Sequence, residues 1–239
     1  MFGSLQPEIG GMFADNMDVY TLTMWRLTCK ANYHQGSASL RRTLVALLRH
    51  FVPFPSTLIA IMRMHHAIFG GELALAFFLR DDSYIPADLE IFTTEFEFDA
   101  VCNAIVADPH VHSNVHTVRS RSNGALFTIR RLVSQTFQVQ LVTGKSIYVH
   151  RSYTCSAASP LTRSPCTALS NFVTPYSFGC SHPTLTLSRR ALMADQEPSY
   201  LLDVDMSIMN HLRAHQFSLA VSPSEWPEYC SVGKPRCLS

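Results

Sequence analysis

Two carboxylates one residue apart, in Asp88-Leu89-Glu90-Ile91, follow a glycine pair, Gly70-Gly71, that opens an apolar run. Residues at i and i+2 of a strand project to one face, so Asp88 and Glu90 can jointly hold a divalent cation through oxygen ligands. A Gly pair at a strand-to-helix junction lets backbone approach a ligand closely, and the helix amides behind it aim positive partial charge at a phosphate. The combination predicts a site with Gly70 and Gly71 on a phosphate-bearing ligand and Asp88 and Glu90 on a metal ion. The blander alternative is a tight turn beside a solvated strand edge. A third metal carboxylate is absent from the later strands expected, because Pro109 to Ala194 contains no Asp or Glu.

The surrounding pattern supplies elements to position these residues. His66-Ala67-Ile68-Phe69 reads as a buried strand entering Gly70-Gly71, Leu73 to Leu79 as a core helix, and Asp81-Asp82-Ser83 as a loop. Leu89 to Phe92 forms the next strand and Phe98 to Ala107 the next helix. Upstream, Leu40, Leu44, Leu47, Leu48 and Phe51 recur at helical spacing until Pro53 and Pro55, and Ser56 can cap a second helix to about Met64. Downstream, Ala125–Val133 and Phe137–Thr143 are strand candidates, and Met206–His215 is a final helix before a tail that frays after Val221. Strand, helix, strand, helix in succession predicts an α/β (α+β) fold, a mixed sheet flanked by helices. Residues 1–39 lack sustained periodicity and read as an arm with one short helix. Residues 40–150 form the core, and the Ser-, Thr- and Pro-rich residues 151–239 a loop-rich extension packing on it.

The pieces Ala67-Ile68-Phe69-Gly70-Gly71 and Asp88-Leu89-Glu90-Ile91 resemble the core of the nucleotidyltransferase superfamily. With Phe137 to Val142 and Asn171 to Thr174, the wider arrangement is similar to fungal proteins of this fold. The resemblance covers Leu40 to Gly144 and implies Mg2+, a nucleoside triphosphate, and nucleotidyl transfer onto a hydroxyl or protein side chain. Three departures from the family pattern imply a degenerate enzyme. Gln138 or Gln140 stands where the third acid is usual, and an amide brings no charge and cannot act as a base. The spacing from Gly71 to Asp88 is long. Glu72 follows the glycines, where it favours the helix N-terminus but repels a triphosphate. The reading from another class is a non-catalytic module that binds a protein partner on the same fold.

A chain of 239 residues, 47% hydrophobic and 15% charged, can bury a sizeable core and is not globally disordered. Its longest apolar run near the motif, Leu73 to Leu79, is far short of a membrane span, and the N-terminus does not read as a signal peptide; the expected setting is cytoplasm or nucleus, with no membrane partner. Seven cysteines without a C-x-x-C pair read as reduced structural thiols. The net charge of +1 conceals an asymmetry, because Pro109 to Ala194 carries nine Lys and Arg against no acid. That block suits a phosphate-bearing ligand or acidic partner and leaves nucleic acid open; Arg130 or Arg131 could offset phosphate charge. His110, His112 and His116 miss the H-x-H-x-D-H metallohydrolase arrangement, with Asn114 where the Asp belongs. A nucleophilic pairing of Cys166 or Cys180 with His182 is too generic to outweigh a buried thiol.

Overall fold

Helix packing begins earlier than the sequence periodicity suggests. The computed structural model describes residues 7–112, 115–121, 132–194 and 203–230. In place of an arm with one short helix, α1 (Pro7–Asn16), α2 (Val19–Arg26) and the first half of α3 (Lys30–Leu48) occupy the stretch before Leu40. The buried positions there include Gly10, Ala14, Gly36 and Ser39, small residues that a hydrophobic count passes over. Asp18 caps α2 by accepting the Thr21 amide at 2.9 Å. The next helix, α4 (Pro55–Met64), starts on Pro55 rather than on a Ser56 cap, since proline's fixed φ and missing N–H suit a first turn.

The central motif follows in the predicted order: β1 (Ile68–Gly70), α5 (Gly71–Leu79), β2 (Leu89–Thr93) and α6 (Phe98–Ala107). A short α7 (Pro109–His112) leads to β3 (Val115–Arg121), then β4 (Val133–Leu141) and β5 (Ser146–Ser152). The strand candidate Ala125–Val133 lies outside the described residues except at its end; β4 pairs antiparallel with β3 and β5. The sequence pattern missed β5, in which Ser146, Tyr148 and His150 alternate with Ile147 and Val149. Beyond it come β6 (Asn171–Val173), β7 (Phe178–Cys180), α8 (Pro183–Leu187), β8 (Arg190–Leu192), α9 (Asp203–Ala214), β9 (Ser218–Ala220) and α10 (Pro227–Cys230).

A mixed seven-stranded sheet runs β3-β4-β5-β2-β1-β6-β7, and β8 and β9 form a separate parallel pair. Within the large sheet β2 and β5 are parallel and the other neighbours antiparallel. One face is apolar: Leu89, Ile91, Ile147, Val149 and Val139 join Leu44, Leu48, Leu58, Val101 and Ile105 in the main core. Helix α5 is buried from Gly71 through Phe78, with Leu73 and Phe77 in that core and Leu75 and Ala76 in a second one with Leu169, Met209 and Leu212. Each such side chain contributes roughly 1.5–3 kcal/mol on burial, more than helix propensity differences of about 1 kcal/mol or less, so packing determines this helix.

Arg80 closes α5 in a left-handed conformation, φ 49°, its amide donating to Ala76 O at 3.0 Å. Its guanidinium donates to Ala14 O at 3.0 Å and Ser39 Oγ at 2.7 Å, tying α5 to α1 and α3. Arg80→Ala is expected to lower the unfolding free energy by about 2–4 kcal/mol in urea titrations, because buried acceptors lose a charged donor. Arg80→Gly should lose about 1 kcal/mol less, since glycine relieves the left-handed backbone.

Candidate functional site

The strand register brings the predicted residues together. Gly70 lies opposite Glu90 across the β1·β2 pair. Gly71 opens α5 at φ +58°, and a Cβ built there would stand 1.8 Å from Glu90 Oε2. Both the backbone conformation and the carboxylate therefore require glycine at position 71. Gly70 is extended and instead makes room for the Phe92 and Leu161 side chains. Asp88, just before β2, accepts the Ser146 amide at 2.8 Å, which fastens it to the start of β5.

Burial, with Glu90's negative charge adding to it, holds the Asp88 carboxyl above its ordinary range, while the Ser146 hydrogen bond and Lys145 oppose the shift. Glu72, in the first turn of α5, belongs to the same acidic group. It is 7% exposed, accepts the Ala87 amide at 2.9 Å, and leaves Oε1 buried with no hydrogen-bond partner among the described residues. Burial first, then the charges of Glu90 and Asp88, push its pKa up to about 7. The charge of Lys145 acts on both Asp88 and Glu72; its ammonium donates to Pro86 O at 2.9 Å and lies 4.7 Å from the Phe51 ring centroid. Desolvation holds Lys145 below its ordinary range despite Asp88 and Glu72. His211 Nε2 stands 3.7 Å from Glu72 Oε1; burial, with His215 adding to it, holds His211 below its ordinary range, while burial holds Glu72 above its own, and both shifts disfavour a charged pair.

The polar sheet face continues past Glu90. Tyr148 lies beside Glu90 on β5 and Gln138 beside Tyr148 on β4, and the Gln138 amide donates to Ser146 Oγ and Tyr148 OH, each at 3.2 Å. Gln138 therefore occupies the row of Glu90, whereas Gln140 pairs with Ser146 one step along. His150 is 5% exposed, bonds Thr136 Oγ1 through Nδ1 at 2.9 Å, and holds Nε2 3.5 Å from Glu90 Oε1. Pro160, Leu161 and Leu169, with Ile208 of α9, roof Glu90 and His150 over a cavity of about 20 Å³, room for about one water.

The sequence reading missed His150, Lys145 and the acidic role of Glu72. The alternation in Ser146-Ile147-Tyr148-Val149-His150 was the available signal for the first; the others depend on long-range packing. Arg130, Arg131 and Asn114 lie outside the described residues. Among the described residues no group of three His, Cys, Asp or Glu side chains converges to hold a metal ion, so Asp88 and Glu90 stand as a pair with Glu72 beside them. Burial holds the Cys180 thiol above its ordinary range, the opposite of an activated nucleophile.

No family model and no curated protein matches the chain. A solved structure of the apo form of a CCA-adding enzyme superposes with a TM-score of 0.43 at 12% identity, over 77% of this chain and 44% of that one. The chain thus spans less than half of that enzyme's length, and a likeness of this degree carries no conclusion about activity.

Glu72 links the site to stability. Its folded pKa of about 7 exceeds the ordinary 4.5, so the folded state binds the extra proton between those values. Stability from this group is fully present below pH ~4.5 and falls as pH rises through ~7, by ~3 kcal/mol at most. Glu72→Gln should remove much of that decline, measured by chemical denaturation at pH values on either side of the window.

Proposed function

We propose that the chain is a nucleotidyltransferase-like protein that binds a nucleoside triphosphate with magnesium and transfers its nucleotidyl group slowly or not at all. The observation that carries this reading is Glu90 lying against Gly71 at the N-terminus of α5, with Asp88 on the same strand segment.

The residues present fit a magnesium ion in one respect. Asp88 is held above its ordinary range partly by Glu90, a repulsion that a divalent cation between them would relieve. Two carboxylates with substrate phosphates are a usual magnesium site. The ion, when bound, supplies Lewis-acid polarisation of a phosphoryl oxygen. The N-terminal amides of α5 orient phosphate, Lys145 offsets negative charge, and Ser146 keeps Asp88 in register.

Two features argue for slow chemistry. Gln138 brings no charge to the row of Glu90, and one unit charge pair at about 4 Å is worth roughly 4 kcal/mol at an effective dielectric of 20, about a thousandfold in rate. The Pro160-Leu161 roof leaves space for one water above Glu90, so a triphosphate there must displace it. With the helices before Leu40 set apart, a core over 40–150 and a C-terminal extension over 151–239 remain the division we propose, and the roof residues fall in the extension. Cytoplasm or nucleus remains the setting we propose; no described helix is long and apolar enough to cross a membrane.

The module reading draws on apolar side chains exposed on α1 and α2, including Met12, Phe13, Tyr20 and Met24. Thermal unfolding with each nucleoside triphosphate, with and without magnesium, separates the two. A ligand at about a hundredfold its Kd stabilises by ~2.7 kcal/mol. We expect a magnesium-dependent rise that the Asp88→Ala/Glu90→Ala double variant loses; no rise with any triphosphate would shift the assignment to a protein-binding module.

A further inference from the structure

A second polar site lies on the helical side of the sheet. A cleft of about 250 Å³ opens between α3, α4 and the β6–β7 turn. Its floor includes Leu40, Leu44 and Ile59, which share a core with Ile91 and Val149, on the sheet face opposite Glu90 and Tyr148. Arg26, Arg41 and Arg63 line it, and no carboxylate does. None of the three has an ion pair among the described residues.

Two of the arginines lie over aromatic rings. Arg26 lies 5.0 Å from the Tyr33 ring centroid and Arg63 5.0 Å from that of Tyr176. Stacking through the guanidinium face leaves its N–H edge available to an anion. The Arg26 Nε is buried with no hydrogen-bond partner among the described residues. Its seat is built into α3: a Cβ at Gly36 would come within 2.3 Å of Arg26 Cγ. Glycine within a 19-residue helix is unfavourable for the helix itself, so position 36 trades helix stability for room to lay Arg26 along the backbone.

We propose that this cleft binds a small phosphomonoester carrying an apolar or aromatic body. Three guanidiniums with no counter-ion among the described residues match a phosphate dianion better than a single carboxylate, and the Leu40, Leu44 and Ile59 floor takes the body. The volume falls just below the ~300–1,000 Å³ of sites for drug-sized ligands, which sets the ligand's size. The site is independent of the Asp88–Glu90 centre and needs no metal.

Phenyl phosphate, titrated calorimetrically into the full chain in the presence of a chelator, tests the proposal. Saturable binding is expected, unchanged in Asp88→Ala/Glu90→Ala, and weakened about tenfold or more by Arg41→Ala or Arg63→Ala. Both arginines are exposed, and unaltered thermal unfolding of the variants would show that the fold is kept. Adenosine monophosphate binding at the same arginines would make the ligand a nucleotide; phenyl phosphate binding alone would make it a non-nucleotide phosphomonoester. Absence of saturable phenyl phosphate binding, or equal affinity in the Arg41→Ala/Arg63→Ala double variant, would overturn it.

Discussion

Helix α5 has almost no solvent face, and the rest of the structure is arranged around satisfying that burial. A helix buried from Gly71 to Phe78 must be covered on every side. The apolar sheet face with α3, α4 and α6 covers one side, and a second core from Leu169, Met209, Leu212 and Phe217 covers another. Its two ends then become special. The first residue is a glycine at positive φ against which Glu90 packs, and the last turn hands over to Arg80, whose guanidinium binds α1 and α3.

The acidic centre inherits its character from that burial. Glu72 occupies the first turn of a helix with no exposed face, so its carboxyl loses solvent while facing Asp88 and Glu90. Neutralising it by protonation near neutral pH is less costly than keeping a third negative charge beside Asp88 and Glu90 in a dry site. Lys145 contributes a nearby ammonium, itself partly desolvated and set against the Phe51 ring. Helix capping would favour an acid at this position, and burial reverses the benefit.

Four cations of the basic block are each engaged with a different part of the protein. Lys145 turns toward Pro86 and the acids, Arg151 stands 3.8 Å from Glu95, Arg189 pairs with Asp81, and Arg190 lies over Trp226. The arginines that line the cleft, Arg26, Arg41 and Arg63, have no ion pair among the described residues and come from the N-terminal helices, outside that block. Charge along the chain reports the deficit of acids in residues 109–194, but helix packing decides where cations stand without an ion pair among the described residues.

Local pattern determined much of this molecule. The order β1, α5, β2, α6, the pairing of the Gly70-Gly71 turn with an acid-apolar-acid strand, and the α/β class are legible because apolar periodicity and glycine punctuation act over a few residues. The N-terminal helices were obscured because Gly10, Ala14, Gly36 and Ser39 are buried small residues, selected by close approach rather than hydrophobicity. Tertiary structure alone placed β5 parallel to β2, which sets Tyr148 and His150 beside Glu90 and Phe92 and delivers the Ser146 amide to Asp88. It also brought Leu161 and Ile208 to Glu90 and Arg63 to Tyr176. Those contacts join residues distant in the chain, and their energies depend on desolvation and mutual distance, which no window of sequence contains.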